Sequence, residues 1–221
     1  MLTQLYGITT AEDAALVNAL RPNHVGVVLD EGIPTWDSVD GPTLREILPE
    51  LRDVAVVALS LATQRERILR TLEAVQPAWL HLARAAEALS PDSVARLREE
   101  LAPRRLMLTI PVRDATALAL AERFAPCVDA LLLDSAHPTT GVVGATGLAH
   151  DWSLSRRIVA AVKAPVFLAG GLGPENVALA IRQTRPAGVD SETRTSRDDD
   201  RRRKDPERVR LFLERARSAA V

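Results

Sequence analysis

The side chains and glycines that could do chemistry cluster where apolar runs stop. Residues 167–177 read FLAGGLGPENV. The apolar run ends in Gly170, Gly171 and Gly173, and Pro174-Glu175-Asn176 then opens a helix-like pattern. Glycine lets a chain turn sharply and lets another group approach its backbone. A helix start adds free N–H groups and the positive end of a dipole, which suits an anion. A plain strand-to-helix turn would use the same glycines, so the motif by itself fits both. Carboxylates close other apolar runs: Asp30 after HVGVVL, Asp134 in ALLLD and Asp190 in GVD. Paired carboxyl groups held in different environments can supply one acid and one base. Tyr6 and His81 end or interrupt two further runs, and both side chains can exchange protons.

Bulk properties narrow the field. The chain has 221 residues, enough for one large domain, and 47% of them are apolar, enough for a sizeable core. Lys+Arg (28) nearly balance Asp+Glu (29), which argues against a broad electrostatic grip on nucleic acid. Aromatics at 3% leave few platforms for stacking bases. One cysteine, Cys127, excludes an internal disulfide and a multi-cysteine metal site. No apolar run has the length of a membrane span, and MLTQLYGITT is unlike a signal peptide. The expectation is a cytoplasmic protein without metal or cofactor, monomeric or homodimeric, acting on a small molecule.

The elements that must position these residues alternate along the chain. Strand-like runs are expected at 2–6, 24–29, 54–60, 79–82, 105–110, 130–134, 166–169 and 188–190. Helical spacing follows each: after the Thr10 cap, over 42–51, 64–75, from Ser90-Pro91 to Leu101, and over 115–124, 153–162, 174–184 and 206–219. Eight such pairs in one chain give the count of a single (β/α)8 barrel over residues 1–221, with a doubly wound sheet as the alternative. The run SRDDDRRRKD at 196–205 interrupts the pattern and reads as a solvated loop; Arg201 to Lys204 contacting a phosphate or partner is the other reading.

A barrel of this kind carries its active site at the C-terminal ends of its strands. Tyr6, Asp30, Ser60, His81, Asp134, Gly170, Gly171 and Asp190 fall on that face, whereas Cys127 precedes its strand and falls on the other. Three loops converge in one sector: GVVGATG (141–147), AGGLG and SETRTS (191–196). The loops after the seventh and eighth strands form the usual phosphate cradle of the fold.

GITTAEDA, LHL, LLLDS, GATGLAHDWS, FLAGGLGPENVALAI, GVDS and KDPERVRLF resemble phosphoribosylanthranilate isomerase. The resemblance covers most of the chain and is strongest from Asp134 onward. It implies a metal-free Amadori rearrangement in tryptophan biosynthesis, from an N-phosphoribosyl aminoaldose to its aminoketose. A general acid opens the ribose and a general base removes the C2 proton. By resemblance Asp134 is the acid, Asp151 orients a loop, and the backbones of Gly147, Gly170 and Gly171 hold the phosphate.

Three departures bear on activity. The family's base is a Cys in Cys-Gly-Ile, and here the motif is Tyr6-Gly7-Ile8. A phenol has a pKa of ~10 against ~8.5 for a thiol. Tyr6, Asp30 and Asp190 are the candidates for that role, with His81 as a further polar group on the face. The family's Arg after strand two, which faces the anthranilate, is absent; Trp36 offers stacking there, among Asp30, Glu31 and Asp37. The Ser-Ser-Gly phosphate turn becomes Ser191-Glu192-Thr193-Arg194, where Arg194 would attract a phosphate and Glu192 oppose it. An isomerase of another phosphorylated sugar and a non-catalytic phosphosugar-binding barrel are the alternatives.

Overall fold

The computed structural model describes residues 1–30, 32, 35–135 and 150–219. Its strands are β1 (Leu2–Leu5), β2 (His24–Leu29), β3 (Ser38–Val39), β4 (Ala55–Ser60), β5 (Trp79–Leu82), β6 (Arg105–Val112), β7 (Ala130–Ser135), β8 (Val166–Leu168) and β9 (Gly188–Ser191). Every pairing is parallel, and β1 bonds to both β2 and β9, which closes eight strands into a barrel. The two-residue β3 extends the edge of β2 beyond the reach of β1, pairing at Val28 and Leu29. The described helices are α1 (Ala11–Leu20), α2 (Gly41–Ile47), α3 (Arg65–Val75), α4 (Ala85–Ala88), α5 (Pro91–Leu101), α6 (Thr116–Phe124), α7 (Trp152–Ala161), α8 (Val177–Thr184) and α9 (Pro206–Ser218).

Strand periodicity sorts the barrel residues into two cores. Outward positions such as Val25, Val27, Leu80, Leu106, Leu108, Leu131, Leu133 and Val189 pack under the helices in one large cluster. Inward positions alternate with them, and Tyr6, Val28, Val57, Trp79, Met107, Leu132 and Phe167 fill the barrel axis. Runs that are apolar at nearly every position satisfy both cores at once, which is why these strands lack the polar alternation of a one-sided sheet. Gly26 and Gly188 are small where rings cross the axis: a Cβ at Gly26 would lie 2.0 Å from the Tyr6 ring, and one at Gly188 would lie 2.4 Å from Phe167.

Hydroxyl caps start α1 and α5 as expected, and a carboxyl cap starts α7. Thr10 accepts from the Asp13 amide, Ser90 from Ser93, and Asp151 from Ser153, so Asp151 serves as the cap of α7. Two elements escaped the sequence reading. β3 lies in a polar stretch without alternation, and α4 is too short to show a period. The helix expected from Pro174 begins at Val177, because the Asn176 side chain is engaged by the glycine turn before it.

The charged run at 196–205 is an exposed loop over 197–202, and it is folded back on itself. Ser196 and Lys204 pair in an antiparallel bridge, and Arg197 N–H donates to Arg203 O across it. The Arg202 guanidinium donates to Trp36 O at 2.6 Å, and Arg203 bridges Glu12 and the buried Asp13 at the start of α1. Lys204 is only 2% exposed. Acidic and basic side chains in sequence suggested solvent contact, but Arg202 and Arg203 reach acceptors on the β2–β3 loop and α1.

Candidate active site

The register of the barrel brings two carboxylates together. Leu133, Leu168 and Val189 are paired neighbours on β7, β8 and β9. The next row is therefore Asp134, Ala169 and Asp190, all turned inward at the C-terminal end. Ala169 lies between the two acids in that row. Burial and the charge of Asp134 push the Asp190 carboxyl up to about 8, against the opposing pull of Gln4 and Lys204. Asp190 Oδ1 is buried without a hydrogen-bond partner. Burial also raises Asp134, to about 6, although the Ser135 amide donates to its Oδ1 at 2.7 Å. Both acids thus titrate within reach of neutrality, where proton transfer is most effective.

Beside this pair lies the glycine turn. Gly170 and Gly171 have φ of +79° and +60°, the left-handed region that glycine enters without strain. A Cβ on Gly170 would come within 2.9 Å of the Ser135 amide nitrogen and 3.0 Å of His150 Nδ1. Asn176 locks the turn, accepting from Gly173 N–H and donating to Gly171 O, each at 2.9 Å. Ser191 Oγ donates to Leu172 O at 2.6 Å and ties the end of β9 to the same turn. The N–H groups of Gly170 and Gly171 have no acceptor among the described residues. Arg194 stands alongside, its Cβ 2.7 Å from where a Gly173 Cβ would be, and pairs with Glu175 at 3.1 Å. Gly147, with Gly144 and His137, lies outside the described residues. Sequence reading gave His150 and Asn176 little weight; a His after a loop and an Asn at a helix start carry no distinctive signal. His150 Nδ1 is buried beside Gly170 without a partner, while its Nε2 meets Ser155 Oγ at 2.6 Å.

The other candidates separate from this site. The Tyr6 hydroxyl is 2.6 Å from His81 Nδ1, and His81 Nε2 is 2.7 Å from Thr109 Oγ1. Burial and the nearby acids Asp190, Glu192 and Asp37 push the phenol well above its ordinary value. Tyr6 is therefore a packed hydrogen-bonding group whose surroundings favour the neutral phenol. Burial lowers His81 to about 3, which favours the neutral ring, and both of its nitrogens meet hydroxyl groups. Asp30 is exposed, with Oδ1 accepting the Gly32 N–H at 2.9 Å in a local turn. It does not join the Asp134–Asp190 row.

Glu192 does not face the phosphate turn as expected. Its side chain reaches the head of β1, with Cγ 3.2 Å from where a Gly7 Cβ would sit. There burial and the carboxyl of Asp37 raise it well above its ordinary value. Lys204 Nζ lies in the same space and donates to Glu192 O and Ser196 Oγ, each at 3.0 Å. Burial lowers this ammonium to about 8. Trp36 is half-buried on the β2–α2 loop, and the guanidinium of Arg201 lies over its ring at 4.6 Å.

The model of N-(5'-phosphoribosyl)anthranilate (PRA) isomerase matches residues 52–215. The chain belongs to this family. The PRA isomerase of Haloferax volcanii is 36% identical over 187 residues, covering 83% of this chain and 79% of that one. The PRA isomerase of Methanocella arvoryzae is 32% identical over 216 residues, covering 97% of each. The barrel superposes on that of Thermus thermophilus PRA isomerase with a TM-score of 0.81 at 24% identity, covering 99% of each chain. Within this family, then, the chain has an aspartate at the end of β7, a glycine turn after β8 and a phenol at the end of β1.

Proposed function

We propose that this chain isomerises N-(5'-phosphoribosyl)anthranilate, or a close phosphoribosyl amine, from aminoaldose to aminoketose as a step of tryptophan biosynthesis. The observation that carries the reading is the Asp134–Asp190 pair beside the Gly170–Gly171 turn, in a chain of this family. The phosphate sits on the amides of Gly170 and Gly171 with Arg194 at its edge, and membership of the family adds Gly147. That anchors the ribose over the two acids.

The rearrangement needs an acid at the ring oxygen and a base at C2. Two coupled carboxyls titrating at about 6 and about 8 hold one proton between them at neutral pH. Asp134 delivers that proton to the ring oxygen as the C1–O bond opens. Asp190 then receives the C2 proton to give the enolamine, which tautomerises to the ketone as its O2 proton leaves and C1 gains a proton. The two resting microstates differ by one transfer inside the pair, so Asp134 need only borrow the proton that burial favours on Asp190. Tyr6 has no part in the transfer; it packs the floor beneath the reacting carbons.

Loss of PRA fluorescence, with substrate generated in situ, tests this directly. Wild type is expected to turn over, and Asp134→Asn and Asp190→Asn each to lose about 10²–10⁴ in kcat. Asp30→Asn is expected to stay within threefold or so, as an exposed turn residue. Turnover that survives Asp134→Asn, or none in wild type, would sink the reading.

A further inference from the structure

We infer that Arg201, laid over Trp36, receives the aryl carboxylate of the substrate. The inference deepens the isomerase reading and rests on it for the identity of that carboxylate. Carboxyl groups crowd the mouth of the barrel: Asp30, Asp134, Asp190 and Glu192 lie at the C-terminal ends of β2, β7 and β9, and Asp37, just before β3, lies beside Glu192. An anthranilate moiety brings its own negative charge into that field. Binding therefore needs a cation away from the glycine turn, which holds the phosphate.

The folded 196–205 segment supplies one. Its other cations are engaged. Arg197 pairs with Asp199, Arg202 donates to Trp36 O and Ser38 O, Arg203 bridges Glu12 and Asp13, and Lys204 is buried against Glu192 O. Arg201 is exposed and makes no hydrogen bond or ion pair with any described residue. Its guanidinium lies over the indole of Trp36 at 4.6 Å. A guanidinium stacked on a ring keeps its N–H edge free and its plane fixed, which suits bidentate capture of a carboxylate. The backbone of the same segment is pinned: Arg202 O accepts from Thr9 Oγ1 at 2.5 Å, and the Arg202 side chain holds the Trp36 carbonyl. Cation and aromatic ring are thus mounted as one unit. Trp36 precedes Asp37, whose carboxyl turns in toward Glu192. In barrel order the β2 loop is three strands from β8 and its glycine turn, leaving the sugar between the two anionic ends. Arg84, also on this face after β5, lies over no aromatic ring among the described residues.

The test measures binding as well as turnover. N-methylanthranilate and N-methylaniline, which lacks the carboxylate, are titrated against wild type, Arg201→Gln, Arg201→Lys and Arg84→Gln. Wild type is expected to prefer N-methylanthranilate by about tenfold or more. Arg201→Gln should abolish the preference, Arg201→Lys should keep part of it, and Arg84→Gln should leave it intact. With PRA, Arg201→Gln should raise KM about tenfold or more while kcat moves by less than about threefold. No preference in wild type, or one that survives in Arg201→Gln, overturns the inference whatever the turnover. A wild type with the preference but no PRA turnover leaves the subsite standing and removes the isomerase reading instead.

Discussion

Asp190 shows at the scale of one residue how function and stability oppose each other. Its folded carboxyl is raised to about 8, whereas an unfolded Asp titrates near ~3.9. A raised folded pKa contributes stability that is present below the unfolded value and is lost as pH climbs through the folded one. Asp190→Asn cannot titrate, so its advantage over wild type should grow between about pH 4 and pH 8. Thermal melts of the two proteins across that window are expected to diverge with rising pH, with the inactive variant the more stable. Melts that stay parallel would show that Asp190 ionises freely in the folded chain. Sequence alone placed Asp190 and Asp30 on one face but could not choose between them. The choice needed the strand register, which sets Asp190 across Ala169 from Asp134 and leaves Asp30 in a local turn. Tyr6 was likewise ambiguous until the depth of its ring and its bond to His81 were visible. Neither depth nor partner is written into a single residue's neighbours in sequence.

At the scale of elements, turn chemistry was legible and side-chain reach was not. FLAGGLGPENV announced a strand, a glycine turn and a helix, and β8, the Gly170–Gly171 turn and α8 follow in that order. What the sequence hid is that Asn176 closes the turn with its own side chain rather than opening the helix. Gly170→Ala is expected to force a Cβ against Ser135 N, at 2.9 Å, in a left-handed conformation. The strain alone costs roughly 1–2 kcal/mol. KM for the phosphorylated substrate should rise about tenfold or more as an amide leaves the phosphate. Kinetics on the variant check this, and an unchanged KM would place the phosphate elsewhere.

Across the whole molecule, the 196–205 segment joins the two ends of the chain over the seam where β1 meets β9. The eight-unit alternation made the barrel readable, because fully buried strands and amphipathic helices leave strong local patterns. A charged hairpin leaves no such pattern, since its order comes from partners 190 residues away, such as Asp13 with Arg203. Asp13 also accepts from the Lys204 amide at 3.2 Å. Asp13→Ala removes both contacts and leaves the partly buried Arg203 guanidinium with Glu12 alone. The expected loss is roughly 3 kcal/mol in urea unfolding, with the largest gain in proteolysis near residues 197–203. An unchanged midpoint would mean that the segment holds without its anchor.

The most direct measurement of the acid–base pair is the pH dependence of kcat/KM for PRA. One proton must be shared between Asp134 and Asp190 for both steps to run. Below about 6 both acids are protonated and no base remains; above about 8 both are ionised and no acid remains. The expected profile is a bell with its maximum near pH 7, and Asp190→Asn should lower it throughout. A profile that keeps rising toward pH 10, as a phenolate base would give, or a fully active Asp190→Asn, would contradict the two-carboxylate mechanism.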